Sequence, residues 1–240
     1  MENKKTKIEN TLIYYLIESS LKDVERTGWK DWHVKRHRLE SVSDHVFATQ
    51  QLAFAVWSEF DIPVNIDRVI AMLAFHETEE PVIGDLSLAS DLKKYKTKMG
   101  EIAVTSVLSN MAKKDYVLSL VREFEEQKTP EAKFAKFIDK LECDITSKLY
   151  DEDSIIDLNN QENNKSSKIP LVVELLSEGK SFSQMWMGLG RRVYNYPEEF
   201  MDISQYAEDN DLHELRDGAL EKSKAKVKAF LDTIVKPSQE

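Results

Sequence analysis

Four polar side chains at the end of an apolar run carry the strongest chemical signal in this chain. Residues 69–75 are wholly apolar, and His76, Glu77, Glu79 and Glu80 follow almost at once. Projected on a helix, residues four apart share a face, so His76 and Glu80 fall together with Val69, Met72 and Leu73 beneath them. By pattern that stripe faces the core, where an uncompensated carboxylate is expensive to bury. A divalent cation would compensate it. His45 repeats the arrangement, on a face that continues through Thr49, Leu52, Ala53 and Val56. Asp139 is the third instance and shares its face with Ala132, Ala135 and Cys143, small residues that let neighbouring helices approach closely. Imidazole and carboxylate ligands drawn from three helices suit Mn, Co, Fe, Ni or Zn better than Ca or Mg.

Each residue also has a plainer reading. A histidine on an apolar face can be a satisfied core residue, adjacent acids such as Glu79 and Glu80 can be helix surface, and Asp139 has Lys136 and Lys140 at hand. Periodicity alone leaves the two readings open.

Composition removes several classes of function. The chain has 240 residues and a net charge of −10, which argues against a general nucleic-acid binder. Charge is uneven, however. Lys30, Lys35, Arg36 and Arg38 face a single acid, Asp31, over residues 30–38, while eight acids face Arg216 alone over residues 198–217. A short basic island in an acidic protein could meet a small phosphate or could simply be a solvated loop. No glycine-rich phosphate loop and no GxSxG elbow occurs, which excludes a Walker-type NTPase and disfavours a serine hydrolase. The single cysteine, Cys143, rules out an intramolecular disulfide framework and CxxC zinc sites. No apolar run approaches the length of a membrane span, and residues 1–10 lack the layout of a signal peptide, so a cytoplasmic protein is expected.

Seven glycines and six prolines leave little room for hairpins, so an all-α chain is expected. Periodicity predicts helices near 9–25, 44–60, 66–82, 91–127 with a break around 112–115, 130–150, 180–195 and 212–235. Ser41 and Asp44 have capping-box spacing, and Pro130 sits where a first helical turn tolerates proline. The Asn-rich stretch 151–170 reads as a loop. We expect a single domain over 1–240, with a core of about 9–152 and a C-terminal helical extension of about 170–240 packed on it.

The order of these residues is similar to that of the HD-domain metal-dependent phosphohydrolases, whose signature is H…HD…D. The blocks that carry the resemblance are Arg26-Thr27-Gly28-Trp29, Glu40-Ser41-Val42-Ser43-Asp44-His45, His76-x-x-x-Glu80-x-x-x-Gly84-Asp85, and Glu131-Ala132-Lys133-Phe134 with Asp139. Together they resemble the 5′-deoxynucleotidase-like branch, whose members remove phosphate from deoxyribonucleoside 5′-monophosphates. The resemblance covers roughly residues 9–152 and implies an all-α HD-domain helical bundle. It implies His45, His76, Glu77 and Asp139 as metal ligands, Glu80 as a general acid/base and Asp85 as a supporting or substrate-contacting carboxylate. Trp29 and the basic island fall where the family contacts nucleoside and phosphate, with Arg38 and then Arg36 the side chains expected at the phosphate. About two extra residues separate Trp29 from His45. The implied partners are a small nucleotide substrate and a second copy in a homodimer, with no nucleic-acid polymer and no membrane. One departure matters: the family has His-Asp where this chain has His76-Glu77. Either an active phosphomonoesterase accommodates the longer acid, or the scaffold serves as a nucleotide-sensing or partner-binding module. A purely structural helical protein is the third possibility.

Overall fold

Ser41 begins the first helix that matters for the site. Its hydroxyl accepts from the Asp44 N–H while Asp44 Oδ2 accepts from the Ser41 N–H, the reciprocal box the sequence predicts. The computed structural model describes residues 2–87 and 89–234, and among them every regular element is a helix. In chain order these are α1 (Glu2–Ser19), α2 (Thr27–Asp31), α3 (Val42–Glu59), α4 (Ile66–Phe75), α5 (Glu80–Ile83), α6 (Lys96–Val107), α7 (Lys114–Glu126), α8 (Pro130–Glu152), α9 (Pro170–Ser177), α10 (Phe182–Tyr194), α11 (Glu198–Asp209) and α12 (Leu212–Ile234). One isolated antiparallel bridge, Glu25 to Ser41, ties the segment carrying α2 back to the start of α3. No helix among the described residues is long and apolar enough to cross a membrane.

The expected helix over 66–82 is broken. α4 stops at Phe75, residues 76–79 turn, and α5 adds a single short helix. Pro81 explains the break: it has no N–H to give the Glu77 carbonyl, and its ring crowds that carbonyl. The long helix near 91–127 is interrupted more widely than expected, with α6 ending at Val107 and α7 starting at Lys114. α9 and α11 were not anticipated, and the last predicted helix extends to residue 235, which lies outside the described residues.

Two apolar clusters flank the site. The first joins α3, α4, α7 and α8 through Val56, Val69, Met72, Leu73, Leu120, Phe124 and Ile138. The second gathers Trp29 and Trp32 from α2 and its C-cap, Tyr150 from α8, and Val172, Leu175, Phe182 and Met185 from α9 and α10 with the residues around them. α8 runs through both clusters. Thr129 caps it by accepting from the Ala132 N–H, and Pro130 occupies its first turn. α10 packs along α8 and ends at Asn195, whose left-handed backbone (φ 49°) stops the helix before Tyr196. α12 touches α8 only at its start and buries no residue.

Candidate metal centre and substrate cavity

Two helices and the turn after a third bring the first group of side chains together. α3 supplies His45, the turn that follows α4 supplies His76 and Glu77, and α8 supplies Asp139. His45 Nε2 lies 3.3 Å from His76 Nε2 and 3.3 Å from Asp139 Oδ1. His76 Nε2 lies 3.6 Å from Glu77 Oε1. One ligand atom from each of the four residues fits within a 4.8 Å span, and all four residues are buried.

The hydrogen bonds around the histidines decide which nitrogen each presents. His76 Nδ1–H donates to the Leu73 carbonyl at 2.8 Å, which leaves Nε2 as the lone-pair nitrogen. His45 Nδ1–H donates to Glu142 Oε2 at 2.6 Å and turns its Nε2 to the same point. A carboxylate behind a histidine in this way fixes its ring and raises its basicity as a ligand. Burial pulls His76 down to about 4, so it stays neutral. Burial and Arg26 also push His45 down, but Glu142 and Asp139 outweigh them and hold it up to about 9. Asp139 is pressed upward by burial yet held well below the usual range by Lys140 and Lys136, whose ammonium groups both lie 3.0 Å from Oδ2. Its Oδ1 is left to face His45.

Once His45 gives up its proton, lone pairs from two imidazoles and oxygens from two carboxylates converge on one point, an arrangement that a bound cation satisfies. Ligand bonds of about 2.0–2.2 Å place neighbouring ligand atoms about 3.0–3.5 Å apart. The separations of His45 from His76 and from Asp139 have that size. Glu80 Oε2, close by, is buried with no hydrogen-bond partner among the described residues. The donor set fits a divalent metal.

Cations surround the carboxylates of the turn. Lys96 on α6 sets its Nζ 3.3 Å from Glu80 Oε1, 3.7 Å from Glu79 Oε1 and 3.8 Å from Glu77 Oε2. Arg26 Nη1 lies 3.8 Å from Glu77 Oε1, and its Nη2 contacts Cys143 Sγ at 3.1 Å. Burial acts to raise the Glu77 carboxyl, but Lys96, His76 and Arg26 hold it below the ordinary range. Burial, then Glu77 and Asp85, push Glu80 up to about 10. A cavity of about 160 Å³ opens beside this cluster, with Arg26, Trp29, Asp85, Lys96, Asp139 and Asp144 among its walls.

The sequence-derived candidates divide in two. His45, His76, Glu77 and Asp139 meet, and Glu80 is joined to Glu77 through Lys96. Trp29 and Asp85 line the cavity. Trp29 donates its Nε1–H to Glu40, and Asp85 Oδ2 accepts the Thr27 N–H at 2.7 Å. Arg36 and Arg38 do not reach the cavity. Arg38 is exposed and paired with Asp44 at 2.7 Å, because that carboxylate caps α3 beside it. Arg36 is exposed and lies over the Tyr150 ring at 5.4 Å. The cations at the cavity are Arg26, Lys93, Lys96 and Lys140. Charge density along the chain favours residues 30–38, and nothing in it marks Arg26, which follows Glu25, or Lys96, which comes from a helix absent from the H…HD…D pattern. Glu142 has a signal in retrospect: it lies one turn beyond Asp139 on the same inward face.

Comparison with known proteins agrees with this geometry. The HD domain family profile matches residues 19–174. The 5′-deoxynucleotidase HDDC2 of Danio rerio is 32% identical over 149 residues, spanning 60% of this chain and 72% of that protein. Its namesake from Homo sapiens is 31% identical over 147 residues, spanning 59% and 69%. Among solved structures, a predicted metal-dependent phosphohydrolase from Magnetospirillum magnetotacticum MS-1 superposes with a TM-score of 0.54 at 19% identity, over 85% of this chain and 97% of that one. With a helical bundle, a buried His/Glu/Asp cluster able to bind a metal and a profile match over most of its length, this chain belongs to the HD domain family of metal-dependent phosphohydrolases.

Proposed function

We propose that the protein is a 5′-nucleotidase acting on deoxyribonucleoside 5′-monophosphates, with His45, His76, Glu77 and Asp139 as its metal ligands. The observation that carries this reading is the convergence of those four side chains beside a cavity walled by Trp29. A bound Mn, Co, Fe, Ni or Zn ion supplies Lewis acidity and a more acidic water at that point. The chain's own residues do the rest. Arg26 and Lys96 stand where they offset charge on a phosphoryl group. Glu80, raised by burial and with one oxygen unpaired, holds or moves a proton at the reacting oxygens. Asp85 accepts from the Thr27 N–H and fixes the α2 segment, which sets Trp29 against the nucleoside. The alternative of a sensing or partner-binding module without turnover is not favoured, since Glu77 is turned into the cluster and the curated relatives are named 5′-deoxynucleotidases. A phosphate-release screen tests the assignment: deoxynucleoside 5′-monophosphates should be turned over well ahead of 3′-monophosphates, sugar phosphates and p-nitrophenyl phosphate. Equal rates across the panel would contradict it.

In this reading the chain is one domain, with a core over about 9–152 and an extension over about 170–240 packed on it, because α8 contributes to both apolar clusters and carries α10 and α11 on its flank. A homodimer is the assembly it expects. Besides the family resemblance, Ile8, Leu12 and Leu16 make an exposed apolar stripe on α1, and Leu220, Val227, Phe230 and Ile234 another on α12. Sedimentation that finds only monomer at micromolar concentration would remove the dimer. A cytosolic setting suits the lone buried thiol of Cys143.

A further inference from the structure

Of the four cations that border the cavity, Arg26, Lys93, Lys96 and Lys140, three already have partners among the protein's own groups. Lys96 Nζ lies 3.3 Å from Glu80, 3.7 Å from Glu79 and 3.8 Å from Glu77. Lys140 Nζ lies 3.0 Å from Asp139 Oδ2. Arg26 sets one nitrogen 3.8 Å from Glu77 and another 3.1 Å from Cys143 Sγ. Lys93 is different. It opens the short 3-10 turn Lys93–Tyr95 that leads into α6, and among the described residues its ammonium makes neither an ion pair nor a hydrogen bond. Its neighbour Lys94 lies over the Tyr95 ring at 4.9 Å and does not border the cavity.

The charges around Lys93 call for an anion. Burial, then Lys96, Lys140 and Lys136, hold its ammonium below the ordinary lysine range, with Asp85 acting the other way. Lys96 reaches the carboxylates of the turn after α4, whereas Lys136 and Lys140 hold Asp139, so these fields come from both sides of the candidate metal centre. The acids on the walls leave Lys93 uncompensated. Glu77 and Asp139 face the cluster and the cations just named, and Asp85 Oδ2 accepts the Thr27 N–H at 2.7 Å. Asp144 is pushed well above the carboxyl range by burial and accepts from the Tyr196 hydroxyl at 3.0 Å. It is packed so closely under α10 that a Cβ on Gly190 would stand 2.9 Å from both its oxygens.

We infer that Lys93 is the residue that receives the phosphoryl group of the substrate, its ammonium donating to a non-bridging oxygen. This rests on the proposed nucleotidase reading and names a phosphate-binding residue for it. A phosphate monoester carries nearly two negative charges at neutral pH and three strong acceptor oxygens, and an ammonium offers three donors and no acceptor. Arg26 and Lys96 shape the field at the same place, but they share their charge with carboxylates before any substrate arrives. Lys93 brings a charge that is still free, on a flexible and exposed side chain that can follow the phosphate in and out.

The test uses the whole chain loaded with Mn²⁺ and three ligands that share parts of one molecule: a dNMP, inorganic phosphate and the phosphate-free deoxynucleoside. In Lys93→Gln, KM for the dNMP and the inhibition constant of phosphate should both rise about tenfold, the lower end of the range for a hydrogen bond to a charged group. kcat, inhibition by the deoxynucleoside and Mn²⁺ affinity should be unchanged, since a loss confined to ground-state binding appears in KM. Lys93→Arg should recover most of the loss, and Lys94→Gln should behave as the wild type. A Lys93 that serves only as a distant counter-charge to Asp85 would leave phosphate inhibition unchanged, and that result overturns the inference. Parallel losses of phosphate and deoxynucleoside affinity overturn it as well, because they mark a disturbed cavity rather than a lost phosphate contact. If the wild type turns over no dNMP, the nucleotidase reading fails. Calorimetric titration of phosphate into wild type and Lys93→Gln then still decides Lys93: equal affinities, or no binding to the wild type, overturn its role.

Discussion

Replacing Glu142 by Gln tests how the centre is preorganised without touching a ligand. Glu142 is buried, accepts from His45 Nδ1 at 2.6 Å through Oε2, and receives the Thr146 hydroxyl at 2.9 Å through Oε1. His45 and Arg26 overcome the effect of burial and hold the Glu142 carboxyl below its ordinary range, so the bond to His45 is charge-assisted. Glutamine keeps the shape and one acceptor but removes the charge. A hydrogen bond to a charged group contributes about 1.5–3 kcal/mol. Losing half to all of the lower figure corresponds to about 3- to 13-fold in an equilibrium constant at about 1.4 kcal/mol per decade. Glu142→Leu also frees the His45 ring to rotate, and loss of such an orienting partner costs metal affinity about 10- to 100-fold. Titration of Mn²⁺ into chelator-stripped wild type and both variants by calorimetry should therefore give the order wild type, Gln, Leu, with circular dichroism unchanged. Equal affinities across the three would refute the claim that Glu142 orients His45.

Glu80→Gln should bind metal as the wild type does while kcat falls about 10²–10⁴-fold, the range of a positioned acid/base; an unaltered kcat would remove Glu80 from proton transfer. Arg26→Ala should raise KM for a nucleoside monophosphate and Arg38→Ala should leave it unchanged, because Arg26 lines the cavity and Arg38 faces solvent on Asp44; steady-state kinetics on the pair would reverse that assignment if Arg38→Ala showed the larger effect. Burial pushes the Glu18 carboxyl from 4.5 up to about 7, and its Oε1 has no hydrogen-bond partner among the described residues. The folded state then holds a proton that the unfolded chain releases, so this group lowers stability progressively from about pH 4.5 to 7 and by its full amount above. Glu18→Gln should raise Tm by a few degrees at pH 8, about 1–3 kcal/mol, and by nothing at pH 4; a gain of equal size at both pH values would show that burial of the charge is not the cause.

The clustering of His45, His76 and Asp139 was the most legible part of the chain, for a physical reason. His45, His76 and Asp139 each interrupt an apolar helical face, and an inward polar group needs compensation whatever the details of packing. The capping box at Ser41 and the start of α8 were legible because they depend on neighbours within four residues. Pro81 was a local signal too, and projecting one helix through it overstated the shared face of His76 and Glu80. What the sequence concealed is what only tertiary packing decides. Arg26 reaches the cavity from a segment of mixed charge, Lys96 arrives from α6, and Arg36 and Arg38, in the densest basic run, end on Tyr150 and Asp44. α11 begins inside the acidic stretch that reads as solvated surface, yet Phe200, Ser204 and Ala207 bury one side of it. Gly190 has no meaning along the chain and acquires one only when α10 is laid against Asp144.

The central claim is that His45, His76, Glu77 and Asp139 hold one metal ion on which phosphate release depends. Titrating Mn²⁺ into chelator-stripped protein, while following bound metal and dNMP hydrolysis together, tests it most directly. Turnover should be absent from stripped wild type, should rise in proportion to the first equivalent bound, and should be lost with that equivalent in Asp139→Ala. Full turnover in stripped protein with chelator present, or an undiminished first equivalent in Asp139→Ala, would contradict the account.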